Sequence, residues 1–260
     1  MKCSEIISIL EEQSPEKFAC DWDNVGLLVG DFEQEVQKIY IALDATEETI
    51  AEAVKEKADL LLTHHPMIFR GLKKVNSHDF TGKRVIKLIE NHISCYAMHT
   101  NFDVKGMAEL AAQKMSLIDC QVLDITDLGE QGPEGIGRVG DLPEKISLET
   151  CVRQVKEAFT VDMVKVFGDL SQKVKRAAIC PGSGKSVISC ALNAKAQVLI
   201  TGDIDHHEGI DAASQGLAII DAGHYGIEKL FIPFMVQYLE KHTEGIEIQG
   251  QPVKQPFLFV

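Results

Sequence analysis

Short apolar runs alternate with amphipathic stretches along this chain, and several runs end in residues with metal-binding or acid–base chemistry. The sharpest case is Leu60-Leu61-Leu62-Thr63-His64-His65-Pro66. Three leucines without polar alternation read as a strand buried on both faces, as in a parallel sheet. Pro66 cannot continue a central strand, so the chain turns there and leaves His64 and His65 at the carboxyl end. Residues 39–43 read as a strand ending at Asp44. Residues 45–57 read as a helix capped by Thr46, with Ile50, Ala53 and Val54 inward. Further on, 82–91 is helical, and strand 93–98 delivers His99-Thr100-Asn101-Phe102-Asp103. Another helix covers 107–115. At the start, Ser4 is the expected cap of a helix through Gln13.

The same alternation restarts after the middle of the chain. The pattern predicts a helix over 147–160 and strands over 163–167, 175–180, 197–201 and 217–221. Pro181-Gly182-Ser183-Gly184-Lys185-Ser186 opens a helix to about residue 194. The last two strands run into Gly202-Asp203-Ile204-Asp205-His206-His207-Glu208 and Gly223-His224-Tyr225-Gly226-Ile227-Glu228. A long helix follows, to about residue 241. Between the halves, 124–144 is rich in glycine and proline. It is the expected boundary, with a functional loop as the alternative. The halves are taken as 1–127 and 128–260. They echo each other: 58–65 parallels 196–203, and His99 with Asp103 parallels His224 with Glu228. The expected fold class is α/β, with two facing βαβ-based domains and a metal site in the cleft between them.

Charge narrows the range of partners. The 260 residues carry a net charge of −13 and a pI near 5.1, which argues against a generally basic nucleic-acid surface. An acidic chain suits the collection of cations. Seven cysteines are scattered without any C-x-x-C pair, which indicates neither a disulfide framework nor a thiolate zinc site. They fit a reducing compartment. The opening stretch, MKCSEIISILEEQSP, is amphipathic and acidic rather than a signal peptide, and no apolar run is as long as a membrane span. The expectation is a cytoplasmic protein.

His224 and Glu228 stand four apart at a helix start and so share one face. Such pairs abound on solvated helices. Joined to His64, His65 and a carboxylate at Asp103, this pair suits a two-metal centre. The nitrogen donors favour zinc, iron, manganese or cobalt over magnesium alone. The Gly182–Ser186 stretch fails the Walker spacing, because Ile179 stands where a glycine is required. It reads as a strand-to-helix turn. His78-Asp79 invites an HD-type reading, but that fold is all-helical. Asp205-His206-His207-Glu208 is a rival cluster. Asp205 is the expected helix cap, and His206 and His207 go to the pocket wall. Trp22 is expected to plug a core edge, while Asp23 beside it faces the site with Asp44, His99, Asn101 and Asp203. Lys185 is a candidate substrate anchor.

Taken together, Trp22-Asp23-Asn24-Val25-Gly26-Leu27, Thr63-His64-His65-Pro66, His99-Thr100-Asn101-Phe102-Asp103, Thr201-Gly202-Asp203 with His206-His207, and Gly223-His224-Tyr225-Gly226-Ile227-Glu228 resemble the NIF3-like family. Its members are often labelled GTP cyclohydrolase type 2 homologues. The resemblance implies a two-domain protomer with two divalent ions, held by His64, His65, Asp103, His224 and Glu228. It also implies a ring-shaped homohexamer. Longer members insert a domain mid-chain, for which this chain is too short. Two functions follow as expectations. One is a metal-dependent hydrolase acting on a nucleotide or related small molecule. The other is a metal-handling or scaffold protein without catalytic activity.

Overall fold

The computed structural model describes residues 1–129 and 132–258. The first elements are α1 (Cys3–Gln13), β1 (Gly26–Val29), β2 (Lys38–Ala42), α2 (Glu47–Lys55), β3 (Leu60–Thr63), α3 (Phe80–Glu90) and β4 (Ser94–Ala97). A short turn α4 (Thr100–Phe102) runs through a π-helical turn (Asp103–Met107) into α5 (Ala108–Lys114). Then come β5 (Ile118–Gly129), β6 (Gly132–Ser147), α6 (Leu148–Phe159), β7 (Lys165–Phe167), β8 (Lys173–Ser183) and α7 (Ile188–Asn193). The chain closes with β9 (Val198–Gly202), α8 (His206–Ser214), β10 (Ala218–Asp221), α9 (His224–Glu228), α10 (Phe231–His242) and β11 (Glu247–Gly250).

Two compact units emerge. The first is Met1–Phe102 with Phe231–Val253, and the second is Asp103–Leu230 with Lys254–Val260. In the first, five strands run in the order β1-β4-β3-β2-β11. β4, β3, β2 and β11 are parallel, and β1 pairs antiparallel on the edge. All four residues of β3 are buried, which is why its leucines show no alternation. Ile50, Ala53, Leu61, Val85 and Leu88 pack together beneath the sheet. Thr46 caps α2 by accepting from the Thr49 amide at 3.0 Å. Asp79 does the same for α3, accepting from Gly82 at 2.7 Å. The acid of His78-Asp79 is thereby a helix cap. Ser4 is not the cap of α1. The helix starts two residues earlier than that cap implies, and Lys2 holds the N-cap position, its amide donating to Glu5 at 2.6 Å.

The second unit builds six strands in the order β5-β6-β8-β9-β10-β7. Only β8, β9 and β10 are parallel. The β5–β6–β8 pairings and β7 against β10 are antiparallel, so the expected βαβ unit carries an antiparallel extension. The glycine-rich stretch is not the boundary between the units. Its described residues pair antiparallel as β5 and β6, and the chain changes unit after Phe102, after Leu230 and after Val253. Glycine serves close strand approach here: a side chain at Gly135 would run into the backbone of Asp124. Pro143 falls in the bulge between Asp141 and Ile146, where no ladder amide is required. All seven cysteines are free thiols. Burial raises Cys95 and Cys151 to about 12, the behaviour of inert core residues.

Candidate metal centre

In the first unit, β2, β3 and β4 end level, with Ala42 opposite Thr63 and Thr63 opposite Ala97. Their carboxyl ends deliver Asp44, His64 with His65, and His99 to one sheet edge, where ligands gather in parallel α/β sheets. Ligand-type atoms of His64, His65 and His99 all lie within 4.8 Å of one another. Each ring is held from behind through Nδ1. His64 Nδ1 meets the Met98 carbonyl at 2.7 Å, His65 Nδ1 meets Asp44 Oδ1 at 2.9 Å, and His99 Nδ1 meets Asp23 Oδ1 at 2.8 Å. An oxygen acceptor places the proton on Nδ1, which leaves the Nε2 lone pair for a ligand. Asp23 also accepts from the Thr100 amide at 3.0 Å and from its hydroxyl. Burial alone would raise this carboxyl, but the His99 and Thr100 donors outweigh it and hold Asp23 at about 2.

In the second unit, β9 and β10 also end level, with Thr201 opposite Asp221. They deliver Asp203 and His224. His224 Nδ1 meets Asp203 Oδ2 at 2.8 Å, and His224 Nε2 meets Glu228 Oε2 at 2.9 Å. Helical spacing accounts for the second contact, since residues four apart face each other. A nitrogen facing a carboxylate this closely needs a proton or a cation between them. Asp103 belongs to the same neighbourhood, with carboxylate oxygens of Asp103 and Glu228 within 4.8 Å. Glu228 is buried, and buried carboxylates call for compensating positive charge. The Cys180 thiol is raised by burial and by the charges of Asp103 and Glu228, so it stays protonated.

The other expected site residues divide. Asp44, Asp23 and Asp203 stand behind imidazoles, and His99 joins the His64–His65 cluster. Asn101 is buried and donates to the Ser14 carbonyl at 2.8 Å, which makes it an anchor of the α4 turn rather than a pocket group. His206 and His207 are exposed at the start of α8. Among the described residues, the clustered ligand groups draw on neither. Asp205 occupies the N-cap position of α8 but makes no capping bond with its side chain. Lys185 is engaged by Glu208 and lies 3.9 Å from Asp205, so it is no open anion anchor. Trp22 does not plug a core edge. It sits at a surface turn, 59% exposed.

Two contributors escaped sequence reading. The Met98 carbonyl leaves no side-chain signature. Gly182, at φ +72°, lies against the Glu228 carboxylate, where a side chain would collide. Its signal was the Pro-Gly-Ser-Gly run, which resembles a phosphate loop but makes room for an acid.

The fold and donor set define an α/β protein whose clustered imidazole and carboxylate groups could hold a metal ion. Comparison with known proteins narrows this class. The family model Duf34/NIF3 (NGG1p interacting factor 3) matches residues 1–255, and the chain belongs to that family. A Clostridium perfringens relative called "GTP cyclohydrolase 1 type 2 homolog" is 34% identical, with 100% of both chains covered. One of the same name from Lactococcus lactis is 37% identical, with 99% of each covered. Among solved structures, a Bacillus cereus protein related to NIF3 superposes with a TM-score of 0.90 at 25% identity, covering 100% of this chain and 99% of that one. Reduced HcgD from Methanocaldococcus jannaschii superposes with a TM-score of 0.83 at 30% identity, covering 97% and 98%.

Proposed function

We propose that this protein is a metal-dependent hydrolase that holds two divalent ions and acts on a nucleotide or related small molecule. His64 and His65 are the ligands from the first unit, and Asp103, His224 and Glu228 those from the second. One observation carries this reading. The imidazoles of His64, His65 and His224 are each fixed at Nδ1 by an oxygen acceptor, as metal-binding histidines are. The donor set fits zinc, iron, manganese or cobalt, with nitrogen and carboxylate ligands and no thiolate. When bound, such ions supply Lewis-acid polarisation and water activation.

The chain's own residues do the positioning. Asp44 and Asp203 set the ring planes of His65 and His224. Asp23 orients His99 and, through Thr100, the start of the α4 turn that leads to Asp103. The name carried by the curated relatives favours a purine nucleotide over other small molecules. A homohexamer is the proposed assembly and the cytoplasm the proposed location. Among the described residues no helix is long and apolar enough to cross a membrane. A monomeric mass by light scattering, in dilute and concentrated samples alike, would refute the assembly.

The decisive experiment reconstitutes the protein with manganese, iron, zinc or cobalt, measures ions per chain, and screens hydrolysis of nucleotides and phosphoesters. Turnover that requires the metal is expected. Full metal loading with no turnover across the panel would favour a metal-handling protein instead.

A further inference from the structure

The turn Trp22-Asp23-Asn24 carries three side chains with three separate contacts. Asp23 holds His99. Asn24 Nδ2 donates to the Ile68 carbonyl and so ties the turn to the segment after Pro66. Trp22 projects outward, with its indole 5.9 Å from the Phe69 ring and edge-on to His99 at 6.0 Å. Phe69 is itself 47% exposed. Two large rings left in water beside a polar cluster forgo about 25 cal/mol per Å² of available burial, which points to a ligand contact.

Just beyond Phe69 the chain reads Arg70-Gly71-Leu72-Lys73-Lys74. Among the described residues, Arg70, Lys73 and Lys74 form no ion pair, although the chain has a net charge of −13. With Phe69, Asn76 and Phe80 they line a cavity of about 670 Å³. That volume suits one small ligand. Exposed aromatic faces stack heteroaromatic rings with little regard to ring identity, and arginine and lysine take phosphate oxygens.

We propose that Trp22 and Phe69 stack the ring of a phosphorylated heteroaromatic ligand, a nucleoside phosphate, whose phosphate is taken by Arg70, Lys73 and Lys74. Trp22 touches His99, so the stacked ring would border the imidazole cluster. The inference rests on the proposed function only in making that cluster the reaction centre. Binding itself requires no metal.

The test uses the full-length chain, whose only indole is that of Trp22. Its emission therefore reports on this subsite alone. GMP at low ionic strength is expected to quench it saturably, and guanosine to require about tenfold higher concentrations. The double variant Lys73→Ala/Lys74→Ala should weaken GMP about tenfold and leave guanosine unchanged. Phe69→Ala should weaken both about tenfold. Trp22→Ala, followed by calorimetry, should weaken GMP about tenfold, with Trp22→Phe restoring most of the affinity. Circular dichroism confirms that each variant is folded. No saturable quenching at millimolar GMP overturns the subsite, as does quenching unaffected by both Phe69→Ala and the double lysine variant. Metal analysis of the same samples separates the two readings. Two ions per chain without GMP binding sinks the subsite alone, and GMP binding by a chain that takes up no metal sinks the hydrolase reading alone.

Discussion

In the first unit the clustered donors are three imidazoles, and the groups behind them are mostly internal: the Met98 carbonyl, a fully buried Asp23 side chain and a half-exposed Asp44. In the second unit the donors are one imidazole and two carboxylates, and the brace, Asp203, is 57% exposed. The difference is electrostatic. Imidazole donors bring no negative charge, so the first cluster can be assembled without a cation. Carboxylates brought within 4.8 Å repel, so the second cluster gains most when positive charge arrives. On this comparison the first cluster is the one that stands without an ion, and the second is the one that positive charge stabilises.

The largest expected effect comes from removing that charge. Asp103→Asn keeps the size of the side chain but not its charge, so metal-dependent turnover should fall more than about a hundredfold, or more than about 2.7 kcal/mol of barrier. A substrate hydrolysed equally fast by wild type and Asp103→Asn would show that the carboxylate cluster is not involved.

The braces come next. Asp203→Asn and Asp44→Asn should each weaken metal affinity by about 10–100-fold, as losses behind metal-binding histidines do. Asp203 is exposed and sits at a left-handed φ of 53°, which asparagine tolerates, so its variant should fold normally. Affinities equal to wild type in both variants would break the argument from bracing.

The buried Asp23 gives a smaller and purely thermodynamic contrast. Its folded value of about 2 lies below the ordinary 3.8. A depressed carboxyl adds stability that is fully present above its unfolded pKa and is lost as pH falls through the folded one. Between about pH 4 and pH 2 the metal-free protein should therefore lose about 2 kcal/mol through this group. Asp23→Asn should flatten that part of the acid denaturation curve. An unchanged curve would mean that the His99–Asp23 pair contributes nothing in solution.

The smallest effect is expected where both clusters are absent. His206→Ala with His207→Ala should leave the ions per chain unchanged by metal analysis, since neither ring joins a clustered donor group. Loss of an ion would redraw the second unit's donor set around α8.

Much of each cluster was legible in the chain. The unalternating leucines marked β3 as buried, Pro66 ended it, and the histidines were thereby set on the carboxyl edge. The four-residue spacing of His224 and Glu228 placed them on one face. What stayed hidden depends on partners distant in sequence. The Met98 carbonyl is backbone. Gly182 earns its place through Glu228, and Trp22 is exposed because its turn is tied to Ile68 and His99. The glycine-rich stretch has the composition of a linker, yet glycine also permits the close strands of a hairpin, and composition does not distinguish the two. Residues 247–250 carry no clear strand pattern, since their pairing with β2 sets their conformation.

That last pairing bears on how the chain is made. β11 is parallel to β2 and covers its outer edge, with Ile248 beside Ile39 and Gly250 beside Ile41. It lies beyond the 103–230 stretch of the second unit in the sequence. At ribosomal speeds the nascent first unit therefore waits on the order of ten seconds for its last strand. During that interval the edge of β2, with Ile39, Tyr40 and Ile41, is open to pairing with a neighbouring nascent chain. Fast synthesis, or a chaperone that shields that edge, should raise the yield of native protein more than any change at the metal ligands.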